Sequence, residues 1–156
     1  MDCGQTFAEG ELDSADVRDL LALHFAEMRG DSPPEACHVL ALDELRDPAI
    51  RFFSLRDNAG GLLGVGALKR LDPGHGEIKS MRTTPAALGR GVGRTILDHL
   101  IRQAREDGIT RLSLETGNSP LFAAARRLYE SAGFARCGSF ADYPETPFTL
   151  FYTRHI

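Results

Sequence analysis

"PAALGRGVGRTILDHLIRQARE", Pro85 to Glu106, is where the chain declares its architecture. Gly89, Gly91 and Gly93 alternate and run straight into a segment where Val92, Ile96, Leu97, Leu100, Ile101 and Ala104 share one helical stripe. Gly108 is placed to end that helix. On the near side, "EIKSMRT" (Glu77 to Thr83) reads as a strand, and on the far side so does "ITRLSLET" (Ile109 to Thr116). Strand, helix and strand in this order form a right-handed crossover, which predicts that the two strands lie parallel. Alternate glycines let successive backbone N–H groups converge on an anion, and the helix start adds its positive dipole end. Arg90 and Arg94 add charge beside those amides. The plainer alternative is a helix start that is glycine-rich without a ligand, its arginines facing water.

Spacing removes two familiar phosphate loops. A P-loop needs G-x-x-x-x-G-K-[ST], but Gly89 to Gly93 is one residue short and Arg94 stands where Lys belongs. A dinucleotide loop needs G-x-G-x-x-G/A, and neither Gly89 nor Gly91 starts one, since Arg94 or Ile96 falls in the last place.

Outward from this segment, "IRFFSLRD" (Ile50 to Asp57), the turn "NAGG" and "LLGVGALKRL" (Leu62 to Leu71) read as a hairpin that continues into Glu77 to Thr83, an antiparallel meander. That meander is wrong for a doubly wound parallel sheet. Before it, Ser14 can cap a helix carrying Val17, Leu20, Leu21, His24 and Met28 at spacings of three and four. "GDSPPEA" breaks the pattern, and a short helical piece through "EACHVLALDELRD" is expected. Past the crossover, Ser119-Pro120 starts a further helix whose buried stripe is Leu121, Phe122, Ala125, Leu128 and Tyr129, with Gly133 to stop it. "PFTLFYTRHI" supplies a closing strand. The predicted order is αβββαβαβ over a single domain spanning residues 1–156. The fold class is α+β: a mixed, mostly antiparallel sheet between helices on both faces, a three-layer sandwich.

Composition narrows the function classes. A formal net charge of −4 disfavours a nucleic-acid backbone as partner. Nothing approaches eighteen consecutive apolar residues, so no membrane association is expected, and the acidic start "MDCGQTFAEGELDS" has no signal-peptide pattern, which favours a cytoplasmic location. Cys3, Cys37 and Cys137 are scattered and the five histidines show no ligand spacing, so no metal site is expected.

Two segments in these elements resemble the GNAT superfamily of acetyl-CoA-dependent N-acetyltransferases. "LGRGVG" (Leu88 to Gly93) fills the slot of the family's Q/R-x-x-G-x-G/A signature, and "LYESAGF" (Leu128 to Phe134) is similar to its L-Y-x-x-x-G-F segment. "FARCGSFADY" and "MRGDSPPEACH" look like the YsnE-like branch. Two positions depart from the pattern: Leu88 stands where Gln or Arg is usual, and Phe122 where many members carry Asn. Both substitutions remove an expected side-chain contact to the cofactor.

The resemblance implies acetyl-CoA as co-substrate, its pyrophosphate on the loop Gly89, Arg90, Gly91, Val92, Gly93 and Arg94, and its pantetheine arm along Met81, Arg82 and Thr83. The two strands flanking the crossover splay apart in that family. The resemblance also implies Tyr129 as general acid; its plainer reading is a core tyrosine on an apolar helix face. Glu77 stands at the offset of a catalytic Glu in the histone-acetylating relatives and is the candidate base; strand alternation puts Lys79 and Met81 on its face. An ion pair with Lys79 or Lys69 is its structural alternative. His24, Met28, Ser32, His38, Phe140 and Tyr143 are the candidate acceptor-binding residues, a mixture suited to a small-molecule amine with an apolar body. An enzyme acting on protein N-termini or lysines, and a non-catalytic acyl-CoA sensor, are the competing readings. The residues say nothing of oligomeric state, although a homodimer is common in the superfamily.

Overall fold

The computed structural model describes residues 4–31 and 42–156. In chain order the elements are β1 (Thr6–Glu9), α1 (Ala15–Asp31), β2 (Ile50–Arg56), β3 (Leu62–Asp72), β4 (His75–Thr83), α2 (Val92–Glu106), β5 (Arg111–Gly117), α3 (Ala123–Ser131), β6 (Ala135–Cys137) and β7 (Thr149–His155). The strands form one sheet ordered β1-β2-β3-β4-β5-β7-β6. Every pairing is antiparallel except β4 with β5, which is parallel as the crossover predicts.

The expected order lacked β1 and β6. Both are edge strands, of four and three residues, too short to display a period of two. The helix expected from Ser119 starts later: Pro120–Phe122 form a 3₁₀ turn and the α-helix begins at Ala123. A 3₁₀ turn advances about 120° per residue, so Leu121 swings off the buried stripe and is 49% exposed, while Phe122 stays buried. Of the helical piece expected through "EACHVLALDELRD", Glu35 to Ala41 lie outside the described residues, and the remainder holds only a 3₁₀ turn, Glu44–Arg46.

The sheet is buried on both faces. On one side Val17, Leu20, Leu21 and Phe25 of α1 pack on Phe52, Val65 and Ala67. On the other, Ile96, Leu97, Leu100 and Ala104 of α2 join Tyr129 and Phe134 over Leu68, Ile78, Leu112 and Leu114. Strand alternation supplies both sets, since Ala67 and Leu68 face opposite layers. No helix among the described residues is long and apolar enough to cross a membrane.

Candidate active site

The parallel ladder between β4 and β5 is only four pairs long, from His75 with Arg111 to Ile78 with Leu114. Beyond it the strands part, and the cause lies in β4. Val65 of β3 pairs with Arg82 while Ala67 pairs with Lys79, so Ser80 and Met81 together oppose Gly66. This is a β-bulge, with Ser80 in the left-handed region at φ 54°. It bends β4 away from β5 and opens a cavity of about 530 Å³ between them. Residues 77–83 form one wall, and Glu115, Thr116 and Gly117 the other. His24, Glu27 and Met28 of α1 close one end, and Phe122, Ala125, Leu128 and Tyr129 the other.

The bulge also corrects the alternation expected for β4. Glu77 and Lys79 share the face toward α1, but Met81 is rotated to the opposite layer, where it packs with Ile96 beside Gly66. Arg82 returns to the α1 side and meets Glu27 at 2.7 Å.

At the mouth of the cavity the chain turns through Pro85–Ala87 into α2. Gly89 and Gly91 have φ of 76° and 78°, conformations that a side chain would strain. None of the amides from Gly89 to Arg94 donates to a backbone carbonyl among the described residues; the first bond of the helix is Thr95 N–H to Gly91 C=O, 3.1 Å. Six donors at a helix N-terminus fit a diphosphate without help from a side chain at position 88, where Leu88 is 65% exposed. Val92 buries its side chain, Arg90 is exposed, and Arg94 pairs with Asp98 at 3.0 Å. The edge of β4 that faces β5 is unpaired past Ile78, leaving backbone groups of residues 79–83 open to a ligand lying along the strand.

Several ionisable groups face the cavity, Glu77, Tyr129 and His24 among them. Glu77, 2% exposed, accepts hydrogen bonds at the same carboxylate oxygen from Lys79 Nζ at 3.0 Å and Tyr143 Oη at 2.7 Å. Lys79 and Tyr143 also hydrogen-bond to each other. The Tyr143 phenol is held protonated, its pKa raised by burial and by the Glu77 charge. Across the cavity, the phenol of Tyr129 is pushed up to about 12 by burial. Its hydroxyl has no hydrogen-bond partner among the described residues, and its ring packs edge-on against Phe134. His24 is buried, its Nδ1 has no partner among the described residues, and burial together with the Arg82 charge lowers its pKa to about 4.

The Acetyltransferase (GNAT) family model matches residues 15–134 of the chain that builds this cavity. The chain belongs to the GNAT acetyltransferase family. It is 47% identical to the N-acetyltransferase YsnE of Bacillus subtilis over 94% of this chain and 96% of the relative. It is 44% identical to the N-acetyltransferase YedL of Escherichia coli, covering 94% and 91% of the two chains. Among solved structures, a GNAT family acetyltransferase of Elizabethkingia anophelis with acetyl-CoA bound superposes with a TM-score of 0.72, at 18% identity over 99% of both chains.

Within this GNAT chain, Tyr129, Glu77, Met81, Arg82, Thr83 and Gly93 all line the cavity, as do His24 and Met28. Phe140 and Tyr143 do not: Phe140 is buried in an aromatic cluster with Tyr143 and Phe151, with centroids 5.4 and 5.7 Å away, and fixes the segment that brings Tyr143 to Glu77 behind the cavity wall. Ser32 and His38 lie outside the described residues. Sequence reasoning missed Glu27, Glu115 and Phe148, which line the same cavity. Glu27 sits beside Met28 and three residues from His24 on the helix already expected there, so its position was legible; Phe148 and Glu115 carried no comparable signal.

Proposed function

We propose that this acetyltransferase acylates the primary amine of a small molecule by direct attack within a ternary complex. The observation that carries the reading is the single cavity lined by both Glu77 and Tyr129, with the free loop amides at its mouth. Acetyl-CoA supplies a thioester whose carbonyl carbon the amine attacks. The amides of Gly89 to Arg94 hold its pyrophosphate, and the open edge at Met81, Arg82 and Thr83 aligns its arm. A backbone N–H on that edge polarises the carbonyl. Glu77 takes the proton that the ammonium must lose, directly or through water. Tyr129, a phenol protonated at neutral pH, gives the departing sulfur its proton and regains one from the nitrogen as the amide forms. His24 and Met28 border the acceptor, and Tyr143 holds Glu77 in place.

Thiol release from acetyl-CoA, followed with a panel of amines, tests the reading. Amine-dependent release is expected. Acetyl-CoA binding with no release for any amine would convert the protein to an acyl-CoA sensor, and release only with peptide substrates would move it to the protein-modifying class.

A further inference from the structure

We infer that the acceptor is an amine bearing no carboxylate or phosphate, its apolar body lying between Met28 and the rim formed by Leu121 and Phe148. This rests on the amine-acetylating reading above and specifies its substrate class.

Charge carries the first half. Among the described residues, the acidic and basic side chains lining the cavity are Glu27, Glu77, Glu115, Lys79 and Arg82, three carboxyls against two cationic groups, for a formal charge of −1. His24 adds none at neutral pH, because burial and Arg82 keep it unprotonated. Both cations already face carboxylates: Lys79 meets Glu77 at 3.0 Å and Arg82 meets Glu27 at 2.7 Å. An incoming anion would have to compete with Glu77 for Lys79, or meet an Arg82 whose charge Glu27 already offsets at Nη2. Displacement at Lys79 would leave a carboxylate uncompensated at a position 2% exposed. A cationic amine, by contrast, approaches a cavity of opposite sign.

Exposed apolar side chains carry the second half. Leu121 and Phe148 are 49% and 45% exposed, and both line this cavity with Met28. Large apolar groups left to water around a concave site are the usual lining for the apolar body of a ligand.

Matched pairs isolate the carboxylate: phenethylamine against phenylalanine, and tyramine against tyrosine, each with acetyl-CoA and the full chain. The carboxylate-free amine is expected to show a kcat/KM at least about ten-fold higher, since one uncompensated charge contact is of that order. Equal or better turnover of the amino acids overturns the inference. Glu27→Gln, which releases Arg82, should narrow the ratio several-fold, and an unchanged ratio would overturn the charge argument. Should no amine be turned over, the acetylation reading itself has failed, and binding still decides this one. With CoA present, phenethylamine should raise the thermal midpoint where phenylalanine does not. A shift by phenylalanine, or by neither, overturns it.

Discussion

Tyr129 and Glu77 reach the cavity from different layers, and their surroundings suit opposite tasks. Burial raises the pKa of the Tyr129 phenol, and among the described residues no acceptor competes for its proton. Tyr129→Phe removes that proton and little else. We expect kcat to fall about 100-fold, the usual scale of one acid–base contribution, while acetyl-CoA affinity measured by titration stays unchanged. An unaltered kcat would return Tyr129 to the core. Glu77 is different, being pinned by Lys79 and Tyr143 through one oxygen, and in the proposed mechanism the other takes the acceptor's proton. Glu77→Gln keeps the shape and loses the base. Turnover should drop about 100-fold near neutral pH and recover as the pH approaches the pKa of the amine, which then arrives already deprotonated. A pH–rate profile parallel to that of the native enzyme would leave Glu77 a purely structural anchor.

Elements explain both what the sequence disclosed and what it concealed. The loop into α2 was legible because its glycines answer a backbone demand: Gly89 and Gly91 sit at φ 76° and 78°. Gly91→Ala should therefore cost about 1–2 kcal/mol of stability and also tilt the amides. In kinetics this should appear as a raised KM for acetyl-CoA with kcat largely kept, and an unchanged KM would separate the loop from the cofactor. The crossover and its parallel pair were legible too, because a long amphipathic helix between two strands admits one hand. The bulge at Ser80 was not. No residue type in "EIKSMRT" marks it, yet it turns Met81 to the far layer and opens the gap on which the site depends. Phe122 could be flagged from the sequence as a departure but not placed. Its ring lies over Gly117 so closely that a Cβ there would meet it at 2.1 Å, so the end of β5 and the turn before α3 are matched to each other. The hydrogen bond from Tyr143 to Glu77 spans 66 residues and rests on an aromatic cluster that periodicity does not reveal.

At the scale of the whole molecule, each layer flanking the sheet buries a histidine. His24 lies in the α1 layer; His99, on α2, is stacked on Phe7 at 3.7 Å and set edge-on to Phe53 at 4.7 Å. Among the described residues neither ring nitrogen of His99 has a hydrogen-bond partner, and His24 lacks one at Nδ1. Burial, reinforced by nearby arginines, lowers both pKa values from 6.5 to about 4. Since the folded value lies below the unfolded one, protonation favours the unfolded chain. The stability these two rings permit is complete above pH 6.5 and is lost progressively as the pH falls toward 4. Glu9 and Asp16 act in a separate window: their arginine partners depress both carboxyls, so their contribution is lost only at lower pH still. Each histidine contributes on the order of 3 kcal/mol across its window, or roughly 5–10 °C in thermal midpoint for a domain of this size. His99→Phe replaces an unpartnered imidazole with an apolar ring in an already aromatic slot. It should raise the midpoint at pH 5 and cut the fall between pH 7 and 4.5 by about half, with His24 supplying the remainder. Thermal melts of both proteins at half-unit steps would check this. Parallel curves would mean that His99 takes up its proton without opening the fold.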